Sequence, residues 1–413
     1  MRNELPATGT AWPELQAHMK ALAVNDVQWR DGKASVYIFH SGDDVMQVAH
    51  DAYGLFIAEN GLGPAAFPSL KQMEREVINM ALSLQRAPDD AAGSMTSGGT
   101  ESILLAIKSC RDAAVAAGHT GPLEIVVPYS AHPAFDKGGH LMGLNVKRIP
   151  IAEDFRADVD AMAAAISPAT IMLVGSAPCF PYGLIDPIED LSQIAQDHQL
   201  WLHVDACVGG YINPFVGAVS DNPPQPHDFT VPGVSSMSLD LHKYGYAAKG
   251  ASTVLYRDKA QRAFQTFDFD QWPCGQMLTP TFAGTRPGGA IAAAWAVLNY
   301  LGREGYEDRA RDILEARDML IAGLTSMGLK IFGEPRTSIV GFGWDDGDIL
   351  AVGEGLYEHG WFSSRLQSPD GIQVMISPAH KKTMPEYISV LEGLVAEVKA
   401  GTRVRKAGQV RYS

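Results

Sequence analysis

Cysteine is scarce in this chain of 413 residues: Cys110, Cys179, Cys207 and Cys274 are widely spaced, with no Cys-x-x-Cys pair and no histidine at metal-ligand spacing. That pattern excludes a disulfide framework and a structural zinc site, and leaves four reduced thiols. Positive charge is also in deficit, with 33 Lys and Arg against 47 Asp and Glu and a net charge of -14. A chain this acidic is not built to neutralise a nucleic-acid backbone, so nucleic acid is not an expected partner. Long apolar runs are missing too, since stretches such as Ala290–Leu298 fall far below the roughly 20 residues that cross a bilayer. Met1-Arg-Asn-Glu-Leu-Pro6 lacks the apolar segment of a secretory signal. A soluble cytoplasmic protein with no membrane partner is expected. Repeats and low-complexity tracts are absent as well, which argues against disorder.

What is present is a regular alternation. Short runs rich in β-branched residues recur at Glu124–Val127, Ile171–Val174, Trp201–Val204, Ser235–Leu239 and Ser252–Tyr256. Helical patterns lie between most of them, at Ser102–Ala116, Ala157–Ile166 and Ile188–Gln196. This alternation predicts an α/β fold with a mainly parallel sheet covered on both faces. The expected organisation is an N-terminal arm over 1–65, a large domain over 66–287 and a smaller C-terminal α+β domain over 288–413.

Ligands of an open parallel sheet sit outside the carboxyl ends of its strands, and four segments fall there or at a helix start. Thr96-Ser-Gly-Gly-Thr-Glu-Ser102 enters a helix and reads either as a phosphate cradle or as a capped helix start. Asp205 ends an apolar strand, where a carboxylate must find a cation, a donor or a turn to cap. His132 follows another strand and is placed to stack on a planar ring or relay a proton. Lys243, after His242 at the end of Ser235–Leu239, can form an imine if its amine is partly deprotonated by burial and by a neighbouring cation, with Lys249 the candidate neighbour. One ligand uses all four: a phosphorylated aromatic ring with a protonatable nitrogen and an aldehyde, namely pyridoxal phosphate.

These segments, with Phe67-Pro-Ser69, Phe180-Pro-Tyr-Gly183 and Ala283-Gly-Thr-Arg-Pro-Gly-Gly289, resemble the pyridoxal-phosphate-dependent group II decarboxylase family. Within it they are most similar to the sphingosine-1-phosphate lyase branch, in order and across about residues 30 to 380. The resemblance implies a fold-type-I homodimer with active sites at the subunit interface. It implies that Lys243 carries the cofactor, Asp205 meets the pyridine nitrogen, His132 stacks on the ring, and Gly99, Thr100 and His242 hold the phosphate. Thr285 would reach in from the partner, where the lyases carry serine. Asn60 would come from the partner on the substrate side, and Lys249 would lie near the substrate.

Departures from the branch concern the substrate. Read without gaps, a lyase tyrosine near the substrate phosphate falls on Phe39; a small gap places Tyr37 there instead. A lyase histidine falls on Gly63. Arg365 stands where the lyases have no arginine and offers a bidentate grip on a carboxylate, or an ordinary surface ion pair. The expected reaction is cleavage of a carbon–carbon bond in a β-hydroxy amine or amino acid, with or without a phosphate; the alternative is decarboxylation of an amino acid. Lys249, Tyr244, Tyr246 and the Lys243 amine are the candidate acid–base groups.

Overall fold

The computed structural model describes residues 4–405 of the chain; the start Met1–Asn3, part of the stretch read above as lacking a signal, lies outside them. Helices α1 (Trp12–Leu22), α2 (Asp43–Leu55) and α3 (Pro68–Leu84) precede a seven-stranded sheet. That sheet is built from β1 (Ala92–Thr96), β2 (Glu124–Pro128), β3 (Asn145–Ile149), β4 (Thr170–Ser176), β5 (Trp201–Asp205), β6 (Val234–Leu239) and β7 (Ser252–Tyr256) in the order β1-β7-β6-β5-β4-β2-β3. Pairing is parallel from β3 through β6, and β7 is antiparallel to both its neighbours. The short connection from β6 to β7 returns the chain as a hairpin-like turn instead of a helical crossover. The start of β7 therefore lies at the same edge as the ends of β1 and β6, with Ser252 opposite Thr96.

Helices α4 (Gly99–Ala116), α5 (Ala134–Met142), α6 (Val159–Ala164), α7 (Ile188–Asp197) and α8 (Asn213–Val219) connect the strands. Strands β2, β4, β5, β6 and β7 are buried along their whole length, as expected for a sheet covered on both faces. A short helix α9 (Lys259–Ala263) and an exposed hairpin, β8 (Phe267–Phe269) with β9 (Met277–Thr279), lead to the long helix α10 (Gly288–Met327). Helix α10 breaks at Gly302, whose φ is 55°. A second sheet of β10 (Lys330–Ile331), β11 (Ile339–Gly343), β12 (Ser364–Gln367) and β13 (Asp370–Met375) is antiparallel and packs against α11 (Ile349–Glu358), on which α12 (His380–Lys399) packs in turn.

One apolar core runs from Val204 and Leu239 in the large sheet through Ala294 and Ile313 of α10 to Phe342 and Leu391. The N-terminal segment is sewn into this body: Ser35 donates to Phe362 O and accepts from Met375 N, and α2 packs along α10. Helix α1 is different, because none of its residues is buried.

Candidate active site

Strand ends converge on one edge of the large sheet. Asp205 closes β5, buried, and its Oδ1 accepts from Cys207 N at 3.1 Å and Ser238 Oγ at 3.3 Å. Beyond β6 the chain turns tightly. A Cβ on Gly245 would lie 2.5 Å from the Leu241 carbonyl oxygen, so the turn that presents Lys243 accepts only glycine there. Tyr306 Oη donates to Gly245 O, and Tyr244 Oη donates to Ile376 O, anchoring the loop from below. Tyr246 is buried against Tyr306. Neither Tyr244 nor Tyr246 lines the cavity around Lys243, which removes both from the acid–base candidates: their rings are structural packing.

Lys243 Nζ lies 2.9 Å from Asp240 Oδ2. Burial opposes charge on this lysine, but the Asp240 carboxylate outweighs it and holds the ammonium above its ordinary range. The expected deprotonation by burial and a nearby cation is thus overruled by a carboxylate three residues upstream. Burial likewise pushes Asp240 up, yet the charges of Lys243 and His242 and hydrogen bonds from Ser252 and Lys243 leave it below the usual carboxylate range. Asp240 was not among the residues picked out from the sequence; its position one residue past β6, at a strand end, was the available signal.

Lys249 meets the opposite field. Its Nζ donates to the carbonyls of Tyr37 and His242, both at 3.1 Å, and stands 5.2 Å from the Phe39 ring centroid. Burial first, and then the Lys243 charge, lower it to about 8. Tyr37 has a left-handed backbone at φ 65°, a strained conformation for a tyrosine. Both Tyr37 and Phe39 line the cavity, and Lys249 meets the first through its carbonyl and the second through its ring.

The inner cavity encloses about 180 Å³, and its walls include His132, Ser176, Asp205, Cys207, His242, Lys243 and Lys249. His132 Nδ1 accepts from Ala134 N, so its ring proton sits on Nε2, and burial keeps the imidazole below its ordinary pKa and neutral. An outer chamber of about 1070 Å³ adjoins it, sharing Tyr37, His132 and Phe180. Arg365 lines only this chamber, 3.9 Å from Glu354. Asn60, Gly63 and Thr285 line neither space. Asn60 Oδ1 accepts from Leu62 N, and Thr285 is exposed.

At the start of α4 both sequence readings meet. Glu101 Oε2 accepts from Ser97 N at 2.6 Å in the manner of a capping box. The same helix end carries amides with no intrahelical partner and the positive end of the helix dipole. Gly99 is pressed so closely that a Cβ would stand 2.7 Å from Cys207 Sγ and 2.8 Å from Asp240 Oδ2. A Cβ on Gly98 would lie 3.6 Å from the His242 ring.

Pyridoxal phosphate fits these residues: a carboxylate, a flat imidazole and a lysine amine line one cavity, and the glycine-bearing start of α4 lies beside its Cys207 and His242 walls. Ser176 Oγ, also on its wall, is buried with no hydrogen-bond partner, which marks a place for a bound polar group. The mainly parallel sheet and this site define a fold-type-I pyridoxal-phosphate enzyme. Residues 1–342 match the family model described as the pyridoxal-dependent decarboxylase conserved domain, and the chain belongs to that family. It is 37% identical over 407 residues to sphingosine-1-phosphate lyase 1 of Mus musculus, covering 98% of this chain and 72% of the relative. It is 38% identical to sphingosine-1-phosphate lyase of Oryza sativa, over 97% of this chain and 75% of that protein. A solved sphingosine-1-phosphate lyase of Burkholderia pseudomallei superimposes with a TM-score of 0.93 at 34% identity, covering 97% and 94% of the two chains. Glutamate decarboxylase of Lactobacillus brevis, 17% identical with a TM-score of 0.82 over 96% and 95% of the chains, shares the fold. The protein is a pyridoxal-phosphate-dependent lyase acting on a small molecule. No helix among the described residues is long and apolar enough to cross a membrane.

Proposed function

We propose that this enzyme cleaves the Cα–Cβ bond of a β-hydroxy amine in a retro-aldol step and releases an aldehyde. When bound, the cofactor supplies an electron sink for the pair left by the broken bond. Lys243 Nζ would hold the cofactor, Asp205 would meet its ring nitrogen, His132 would cover the ring, and Gly99, Thr100 and His242 would hold the phosphate. Lys249 Nζ, poised near neutrality, takes the β-hydroxyl proton.

One observation carries this choice. Among the described residues, no arginine lines the inner cavity, whose cationic or basic groups are Lys243, Lys249, His132 and His242. An α-carboxylate entering it would find no bidentate partner. The second reading, amino-acid decarboxylation, draws on Arg365 in the outer chamber. Purified holoenzyme offered β-hydroxy amines and common amino acids distinguishes the two: aldehyde without carbon dioxide is expected, and carbon dioxide without aldehyde refutes the proposal.

The working unit we infer is a cytoplasmic homodimer, with Asn60, Gly63 and Thr285 meeting the site of the other subunit. The uncovered α1 helix, with Trp12, Leu15, Met19 and Leu22 exposed, supports a second copy as its cover. We also take 66–287 as the unit that holds the cofactor, with 1–65 as arm and 288–413 as the smaller domain.

A further inference from the structure

Behind Asp205 a chain of hydrogen bonds crosses between β5 and β6. Trp201 Nε1 donates to Ser236 Oγ at 2.7 Å; Ser236 Oγ lies 2.8 Å from His203 Nδ1; His203 Nε2 lies 3.2 Å from Ser238 Oγ; Ser238 Oγ lies 3.3 Å from Asp205 Oδ1. All five residues are buried.

The proton positions along this chain follow from its two ends. The Trp201 indole only donates and an ionised carboxylate only accepts. Ser238 must then give its proton to Asp205, because the reverse would set two acceptor oxygens against each other. Its oxygen therefore accepts from His203 Nε2–H. A neutral imidazole has one ring proton, so Nδ1 is the acceptor and Ser236 donates to it. Burial drives His203 down to about 4, consistent with a neutral ring. Every donor points one way, from Trp201 to Asp205. Reversing the His203 tautomer would reverse both serine bonds and leave Asp205 Oδ1 without its hydroxyl donor.

We propose that His203 and Ser238 are positioning residues: they hold Asp205 as an oriented acceptor for the cofactor ring nitrogen, with Ser236 and Trp201 locking the His203 tautomer. The proposal rests on Asp205 being the ring partner. Other titratable groups acting with Asp205 are His132, Cys207 and Lys243. Those groups are unchanged in the variants below.

Two readouts on the holoenzyme test it: the cofactor dissociation constant, from visible absorbance on dilution, and the pH midpoint of the visible band. Ser238→Ala is expected to loosen the cofactor about 10- to 150-fold, the weight of one hydrogen bond to a charged group, and to move the midpoint. Ser238→Thr keeps the hydroxyl and should behave as the native protein. His203→Leu should follow Ser238→Ala, and His203→Gln, which retains an amide donor, should recover part of the loss. If Ser238→Ala does not fold, the His203 pair decides on the same readouts. Native behaviour of both Ser238→Ala and His203→Leu overturns the relay. Asp205→Asn separates the two levels: if it moves neither readout, Asp205 is not the ring partner, whereas if it moves them and Ser238→Ala does not, only the relay fails.

Discussion

Lys243 and Lys249 stand six residues apart and meet opposite fields, Asp240 beside the first and burial with a like charge beside the second. Because Lys249 titrates at about 8, kcat/KM should rise with pH through a midpoint near 8 as its free amine appears. Lys249→Met should lose that limb and roughly 10²- to 10⁴-fold of the rate, while keeping the cofactor's visible band. The sign for stability is the same: a lysine lowered in the folded state binds fewer protons there than unfolded. Stability therefore increases from about pH 8 toward the ordinary lysine value, and the difference between native protein and Lys249→Met in urea unfolding should contract over that interval. Asp240 acts in the other direction. Asp240→Asn in cofactor-free protein leaves the Lys243 ammonium without its counter-charge and should cost about 3 kcal/mol in urea unfolding, the low end for breaking a buried pair.

Elements decide how closely these groups approach. The end of β1, the start of α4 and the turn after β6 are brought together by the antiparallel return of β7, and Gly99 makes the approach possible. Gly99→Ala should displace Cys207 or Asp240, lowering unfolding stability by about 1–3 kcal/mol and cofactor affinity by about tenfold or more, measured by thermal melting and by absorbance titration. Helix α4 also shows why the sequence left two readings open. Glu101 caps Ser97 N and its Oε1 reaches Phe282 N, 181 residues on. A cap and an anion site use different amides of one helix end, so sequence reasoning had no need to choose.

At the scale of the whole molecule, the single chain gathers Asp205, His132, His242 and Lys243 around one cavity but leaves Asn60, Gly63 and Thr285, like Gly99 and Thr100, outside the lining of either space. A homodimer should appear in light scattering, and Leu15→Glu with Met19→Glu should weaken it, since two charges would be buried on the uncovered face of α1. Shared sites make a sharper prediction. Lys243→Ala and Asn60→Ala proteins, each inactive alone, should regain activity when dissociated and reassociated together, because one of the two sites in a mixed dimer carries neither change. Absence of recovery would place both residues in the same subunit's site.

The sequence by itself determined the alternation that makes a covered parallel sheet, and the strand ends and helix start where Asp205, His132, Lys243 and Gly99 stand. Hydrophobic period and turn chemistry are local, and a strand-end rule converts them into a site. It also placed Lys249 near its neighbour, but it did not reveal which lysine would keep its proton. Tertiary structure decided that, because the balance depends on Asp240 reaching Lys243 and on Lys249 being enclosed by Tyr37 and Phe39. It decided as well that Tyr244 and Tyr246 pack below the loop, that Ser176 faces the cavity, and that Ser238 stands across from Asp205. The register between strands and the enclosure of a charge are properties of elements distant in sequence. No local pattern encodes them, and they set the proton positions on which the chemistry depends.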